Sequence, residues 1–341
     1  MPAGESPRQE GRGRNDQQMP RSDSMARMLS RLALCIAVVY GPVLIVLIFL
    51  HFPHDFDSAS LHDRSAEGQA AAPAQSFYGE TYDPTSTDVY IKTARLAAEA
   101  LDVRGRVNAF VSDYGLRDKR VLEVGAGSGL LQDAVSDYTA LDIASSARRF
   151  FHKPFVQASA TAMPFKDREF DAIWTIWVLE HVPKPELALL EMRRVVKHHG
   201  FIYLAPAWNC PSWAADGYDV RPYSDLDITG KIKKASVLVQ KQLIPTPSYL
   251  VPIRFMRLSW WLTARRPMTL RYNRLSPNYQ KYWGPDSDAV NSIDSYEAYL
   301  WFISRGDECL NCRTLALEPF AYERWPLIVC VNKPGHSGHS R

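Results

Sequence analysis

The longest pattern along the chain is an apolar stretch with no polar face. Residues 32–52, with the core LALCIAVVYGPVLIVLIFL, carry no charged side chain apart from a protonatable His51. About 21 residues at roughly 1.5 Å rise each give about 31 Å, the thickness of a bilayer's hydrocarbon core. The pattern therefore predicts a transmembrane helix, and Gly41 and Pro42 inside it are tolerable because spanning helices accommodate such breaks. A buried core helix is the first alternative, but all-round apolar helices rarely lie between two polar stretches. A cleaved signal peptide is the second; its nearest run of small residues, at 70–72, lies far downstream.

Residues 1–31 before the span are rich in Arg, Gln, Ser, Gly and Pro and predict a disordered basic tail. Residues 53–76 after it lack periodicity and read as a linker. Regular patterning begins at 77. Ile91, Ala94, Leu96, Ala97, Leu101, Val107 and Phe110 recur at helical spacing, and Ala188, Leu189, Met192, Val195 and Val196 do so again behind Pro183 and Pro185, with Gly200 expected to end that helix. Short apolar runs at 121–124, 138–142, 170–177 and 201–205 read as strands. A helix is expected over 296–303 and a closing strand over 326–331. This alternation predicts an α/β fold, a doubly wound and mainly parallel Rossmann-like sheet, within one domain over 77–334.

Composition changes this picture little. The 341 residues hold 40 Lys and Arg against 37 Asp and Glu, too near balance to argue for a nucleic-acid partner, and 46% hydrophobic content excludes a fully disordered chain. Charge distribution says more. Arg8, Arg12, Arg14, Arg21, Arg27 and Arg31 precede the span, so the positive-inside rule places the tail in the cytoplasm and the remainder across the membrane.

The chemistry is concentrated at VLEVGAGSGLL, a strand running into Gly125, Gly127 and Gly129, where a strand, a glycine-rich turn and a helix are expected. A dinucleotide fingerprint would need its third glycine at position 130, which is Leu130; instead Glu123 stands two places before the first glycine. This E-x-G-x-G-x-G arrangement resembles motif I of the class I S-adenosylmethionine-dependent methyltransferases, and the resemblance continues over about residues 105–205 in the manner of the methyltransferase domain 11 group, including the F-D-A-x-W…L-E-H-V stretch. It implies a seven-stranded sheet with an antiparallel last strand, and S-adenosylmethionine as cofactor. Glu123, Gly125, Gly127 and Gly129 would cradle the methionine part and Asp142 the ribose hydroxyls. Ser159 and Ala160 would meet adenine, with Ser159 standing where an Asp is common, and Trp177 would close the same site.

Acceptor recognition is expected from an insertion over about residues 206–306, with Trp208, Asn209, Trp213 and the cation Arg221 at the rim. His181, just past the fourth strand, is the candidate general base, against a structural role. The arginine- and tryptophan-rich stretch from 254 to 274 reads as a solvated helix face, or as a surface lying against anionic lipid. Cys309 and Cys312 have zinc-ligand spacing without two further partners, so no metal is expected; a disulfide or plain thiols are the alternatives. Two functions stand: a single-pass membrane methyltransferase acting on a small-molecule or lipid-like acceptor, with the bilayer as partner, and a catalytically silent nucleoside-binding module at the membrane. The donor implied by the resemblance is held in the cytosol, opposite to where the arginine bias puts the domain. The side, like the oligomeric state, is left open by the sequence.

Overall fold

A computed structural model describes residues 21–51, 56–57, 67–83, 89–242, 245–279, 284, 286–321 and 326–333. Contacts divide the chain into two units, Met1–Val46 and Leu47–Arg341. Helix α1 (Arg21–His51) contains a window, Met25–Leu47, that is long and apolar enough to cross a membrane and is not buried in the fold; a signal sequence has the same properties. The helix starts within the stretch expected to be a disordered tail. Ala26, Met28 and Leu29 are good helix formers, and extending a nucleated helix costs little. Residues 1–20 of that tail, residue 52 of the expected span, and 53–55 and 58–66 of the expected linker lie outside the described residues.

In the second unit, chain order runs β1 (Phe56–Asp57), α2 (Glu67–Thr81), α3 (Val89–Ala100), α4 (Val103–Asp113), β2 (Arg120–Val124), β3 (Asp137–Asp142), β4 (Phe155–Gln157) and β5 (Phe170–Ile176). It continues through α5 (Pro185–Val195), β6 (Val196–Ala205), α6 (Ile228–Gln242), α7 (Pro245–Ala264), β7 (Tyr272–Arg274), β8 (Asn291–Ile293), α8 (Ser295–Ile303), β9 (Glu308–Cys309) and β10 (Leu327–Cys330). Seven strands form the main sheet in the order β4-β3-β2-β5-β6-β10-β9; the first five are parallel, while β10 runs antiparallel to β6 and β9 antiparallel to β10. The Rossmann-like sheet expected from the sequence is present. Strands β1, β7 and β8 form a small separate antiparallel sheet.

Strand alternation sorts the core into two layers. Leu122, Val124, Ile173, Ile202 and Leu204 pack on one face with Leu189 and Met192 of α5 and Leu300 and Trp301 of α8. Val121, Tyr138, Ala172, Trp174, Tyr203 and Ala205 pack on the other with Val107, Phe110 and Val111 of α4.

Local expectations fail at four places, each for a physical reason. No helix follows the glycine turn: only turns join β2 to β3, because the connection is about a dozen residues long and the glycines consume half of it. Gly200 does not end a helix but lies within β6, where a Cβ would sit 2.7 Å from the Asp171 carbonyl oxygen. Helix α2 begins inside the expected linker and buries Ala74. Within α7, Arg254 and Arg257 are buried rather than solvated. Arg254 is held by Asp294 (2.6 and 2.7 Å) and Arg257 by Glu297 (2.8 Å) at the start of α8. Cys309 and Cys312 are joined as a disulfide, and among the described residues no group of three or more His, Cys, Asp or Glu side chains could hold a metal ion.

Candidate active site

The glycine turn sits at the carboxyl end of β2, and Gly125, Gly127 and Gly129 all have positive φ (74°, 48° and 71°). At Gly125 a Cβ would lie 2.2 Å from Cγ2 of Val178, so the turn and the loop after β5 can approach only without a side chain. At Gly127 a Cβ would meet the Tyr82 hydroxyl at 3.0 Å. Backbone N–H groups of Gly125 and Ala126 donate to the Leu141 carbonyl (2.8 and 3.1 Å), which ties the turn to the tip of β3.

That tip carries Asp142, which is 6% exposed. Its Oδ2 accepts from Gly127 N–H (2.8 Å) and its Oδ1 from Ala144 N–H (2.9 Å). Each oxygen keeps further acceptor capacity, so the carboxylate is held in place with lone pairs to spare. Burial pushes its pKa up against the opposing pull of those N–H groups. Glu123, at the tip of β2, is buried as deeply and accepts from the Tyr138 hydroxyl. Burial raises its pKa to about 8.

Two clefts share Tyr82, Tyr90, Gly125 and Trp177 as common walls. The first is also lined by Asp142, Ser159, Ala160, Thr161 and His181, and the second by Glu123, Gly127 and Arg95. Of the residues expected at the cofactor, only Gly129 lines neither cleft. The Ser159 hydroxyl lies 2.7 Å from that of Thr161 and accepts from the Thr161 N–H, so the two form one polar edge. Trp177, directly after β5, has φ at 54°, a costly conformation for a bulky residue and one typical of functional sites.

His181 stands on the turn after β5, where its Nδ1 lies 3.2 Å from the Asp288 carbonyl oxygen and 3.7 Å from Asp288 Oδ2. A carbonyl oxygen only accepts, so Nδ1 carries the proton and Nε2 is left as the basic nitrogen of the neutral ring. Nε2 lies 3.8 Å from Glu180 Oε1. Burial works to lower the imidazole pKa, but the carboxylates of Asp288 and Glu180 outweigh it and hold the pKa above its usual value. Burial lifts Glu180 itself to about 7, and its Oε2 is a buried acceptor without a hydrogen-bond partner in the structure. The Tyr78 hydroxyl donates to Asp288 Oδ2 at 2.7 Å, which completes a chain from Tyr78 through Asp288 to His181.

Sequence reasoning missed Tyr78, Tyr82, Tyr90, Thr161 and Asp288. The tyrosines had a usable signal in the aromatic density between Phe77 and Tyr90; Asp288 had none, being 107 residues from His181. The residues expected at the acceptor rim do not line either cleft. Trp208 is packed into the main core, Asn209 donates its N–H to Ile293 (2.9 Å), Trp213 belongs to a separate cluster with Tyr218, Leu226 and Val237, and Arg221 donates to the Asp225 carbonyl (2.7 Å). Large aromatic side chains bury more surface in those layers than at a rim.

Comparison with known proteins agrees with the geometry. Residues 122–204 match the methyltransferase domain family model. A demethylmenaquinone methyltransferase from Renibacterium salmoninarum is 38% identical over 96 residues, 26% of this chain and 40% of the relative. A fatty-acid O-methyltransferase from Mycolicibacterium smegmatis is 27% identical over 182 residues, 48% of this chain and 65% of the relative. The chain thus spans about half the length of these relatives. Among solved structures, a Haemonchus contortus phosphoethanolamine N-methyltransferase in complex with phosphoethanolamine and S-adenosylhomocysteine is 17% identical with a TM-score of 0.35, covering 43% of this chain and 34% of that one. The matched stretch runs from within β2 to within β6 and takes in Glu123, the glycine turn, Asp142 and His181, so over residues 122–204 the chain is similar to a methyltransferase domain.

Proposed function

We propose that the chain is an S-adenosylmethionine-dependent methyltransferase for a lipid-like or quinone-like acceptor, anchored to a membrane through α1. The observation that carries the reading is the junction of the two clefts at Gly125 of the glycine-rich turn, with one buried carboxylate in each, Glu123 and Asp142. A Cβ at Gly125 would run into Val178, and the paired acids suit a ligand with an ammonium at one end and a ribose diol at the other. When bound, S-adenosylmethionine supplies an electrophilic methyl group on a sulfonium. The residues of this chain do the rest. Glu123 and the turn hold the amino-acid end, Asp142 the ribose, and Ser159, Ala160 and Thr161 the base. Tyr78, Tyr82, Tyr90 and Trp177 exclude water around the reacting atoms. The acceptor class is supported by relatives named for demethylmenaquinone, ubiquinone biosynthesis and fatty acids.

Calorimetric titration of the full chain in detergent with S-adenosylmethionine tests the reading. Saturable one-to-one binding is expected, weakened about a hundredfold or more by Asp142→Ala, because two hydroxyls lose a charged acceptor. Absence of binding in the unmodified protein would remove the enzyme. Binding without transfer to any quinol, phenol or fatty acid would favour the silent nucleoside-binding module.

His181 is assigned the proton of a hydroxyl acceptor, taken at Nε2. The turnover rate should rise with pH as His181 loses its proton, with an apparent pKa above the ordinary histidine value because Asp288 and Glu180 stabilise the imidazolium. Asp288→Asn removes one of those charges and should move the rising limb to lower pH, whereas His181→Ala should remove the limb and cost about 10²-fold or more in kcat. An unchanged pH profile in Asp288→Asn would show that His181 is not the base.

A further inference from the structure

The charge of the acceptor-side insertion is distributed unlike that of the rest of the chain. Residues 228–285 contain eleven of the 40 basic residues and none of the 37 acidic ones, so the remainder of the chain is net acidic. Helix α7 lies within this segment. Its inner face carries Arg254 and Arg257, both neutralised by acids from outside the segment, Asp294 and Glu297. Its outer face is apolar: Phe255, Met256 and Trp260 are 37%, 58% and 65% exposed, at helical spacing with the exposed Pro252. Phe320 packs edge-on against Phe255 and is itself 54% exposed, which widens the patch. Two exposed cations, Arg265 and Arg266, follow directly at the end of the helix.

We infer that the outer face of α7 is an interfacial surface that lies in an anionic bilayer. An exposed tryptophan and phenylalanine on one stripe, followed by two arginines and accompanied by no acid, are what a headgroup region accepts: rings at the acyl boundary, guanidinium groups on phosphates. A second copy of the chain is the poorer occupant. A two-fold contact through this face would bring one cationic, acid-free segment against another. The inference stands whether or not the chain transfers methyl groups. It also adds to α1, because it orients the globular unit rather than merely tethering it.

Tethering by α1 makes vesicle binding uninformative, so the readout is the depth of one ring. The full chain is reconstituted into vesicles of phosphatidylcholine alone or mixed with phosphatidylglycerol, each containing brominated lipid as tryptophan quencher. In the phosphatidylglycerol vesicles the wild type should be quenched more than Trp260→Phe, and the difference should shrink in phosphatidylcholine alone. The double variant Arg265→Glu/Arg266→Glu should weaken the contact by about tenfold or more, since four units of charge are exchanged at an anionic surface. All the substituted side chains are exposed, and unchanged thermal melting would show that the fold is kept. Equal quenching of wild type and Trp260→Phe in both vesicles would overturn the inference. So would a Trp260 shielded from aqueous acrylamide but untouched by brominated lipid, which would assign the face to another protein surface.

Discussion

Gly125→Ala is expected to abolish measurable methyl transfer and to lower the affinity for S-adenosylhomocysteine by about a hundredfold or more, out of proportion to the single methyl group added. Two costs combine at this position. An alanine at φ 74° is in the left-handed region, which costs about 1–2 kcal/mol. Its Cβ would also stand 2.2 and 2.8 Å from the two methyl carbons of Val178, an overlap that costs roughly 1–3 kcal/mol to relieve by backbone shifts. The shifts act on the N–H groups that hold the turn to Leu141 and Asp142, so strain is converted directly into a displaced cradle. Val178→Ala in the same background should recover the steric part and leave the dihedral part, giving a coupling of about 1 kcal/mol or more in a double-mutant cycle. Gly115 provides the control. It has φ 62° but open space where its Cβ would go, so Gly115→Ala should cost only about 1–2 kcal/mol and leave ligand affinity unchanged. Chemical denaturation and ligand titration of the four variants measure both quantities, and a Gly125→Ala protein that bound like the wild type would disprove the role given to the turn.

What the sequence made legible and what it concealed divide along a physical line. The strands β2, β3, β5 and β6 were readable because a strand buried on both faces is a mainly apolar run, and the ligand ends of β2 and β3 were marked besides: three glycines at alternate positions after the one, and Asp142 ending the other. These signals are local, confined to a few consecutive residues. The walls of the cleft are not. Tyr82, just past α2, reaches the glycine turn from some forty residues upstream by sequence, and Asp288 reaches Tyr78 of α2 and His181 from within the insertion; pairing across such distances is a property of the assembled fold. The acceptor rim misled for the opposite reason. Trp208 and Trp213 follow β6 directly, where ligands bind in this class of fold, but proximity in sequence to a strand tip does not decide whether an indole faces the cleft or the core. The same limit applies to Arg254 and Arg257: a helix rich in arginine reads as solvated until Asp294 and Glu297 are seen beneath it.

Glu123→Gln should separate stability from ligand binding more sharply than any other single change in the site. In the folded chain burial raises the Glu123 pKa to about 8 from its ordinary value of about 4.5. Between those two values the folded protein holds a proton that the unfolded chain has released, so stability falls as pH rises from about 4.5 to about 8 and levels off above. A shift of that size corresponds to an upper bound on the order of 5 kcal/mol lost by pH 8 and beyond. Glutamine has no proton to lose and can still accept the Tyr138 hydroxyl through its carbonyl oxygen, so the variant should match the wild type near pH 5 and be the more stable protein at pH 8. Ligand binding should move the other way. The cofactor's ammonium needs the carboxylate as its counter-ion, so wild-type affinity should climb with pH toward 8 and binding should release a proton. The release is measurable as a dependence of the calorimetric heat on the ionisation enthalpy of the buffer. Glu123→Gln should release none and bind about a hundredfold or more weakly at pH 8, where one charge-assisted pair in a buried site is lost. A destabilised variant, or one that keeps both affinity and proton release, would mean that Glu123 is an ordinary buried acid of the sheet and that the ammonium is held elsewhere in the second cleft.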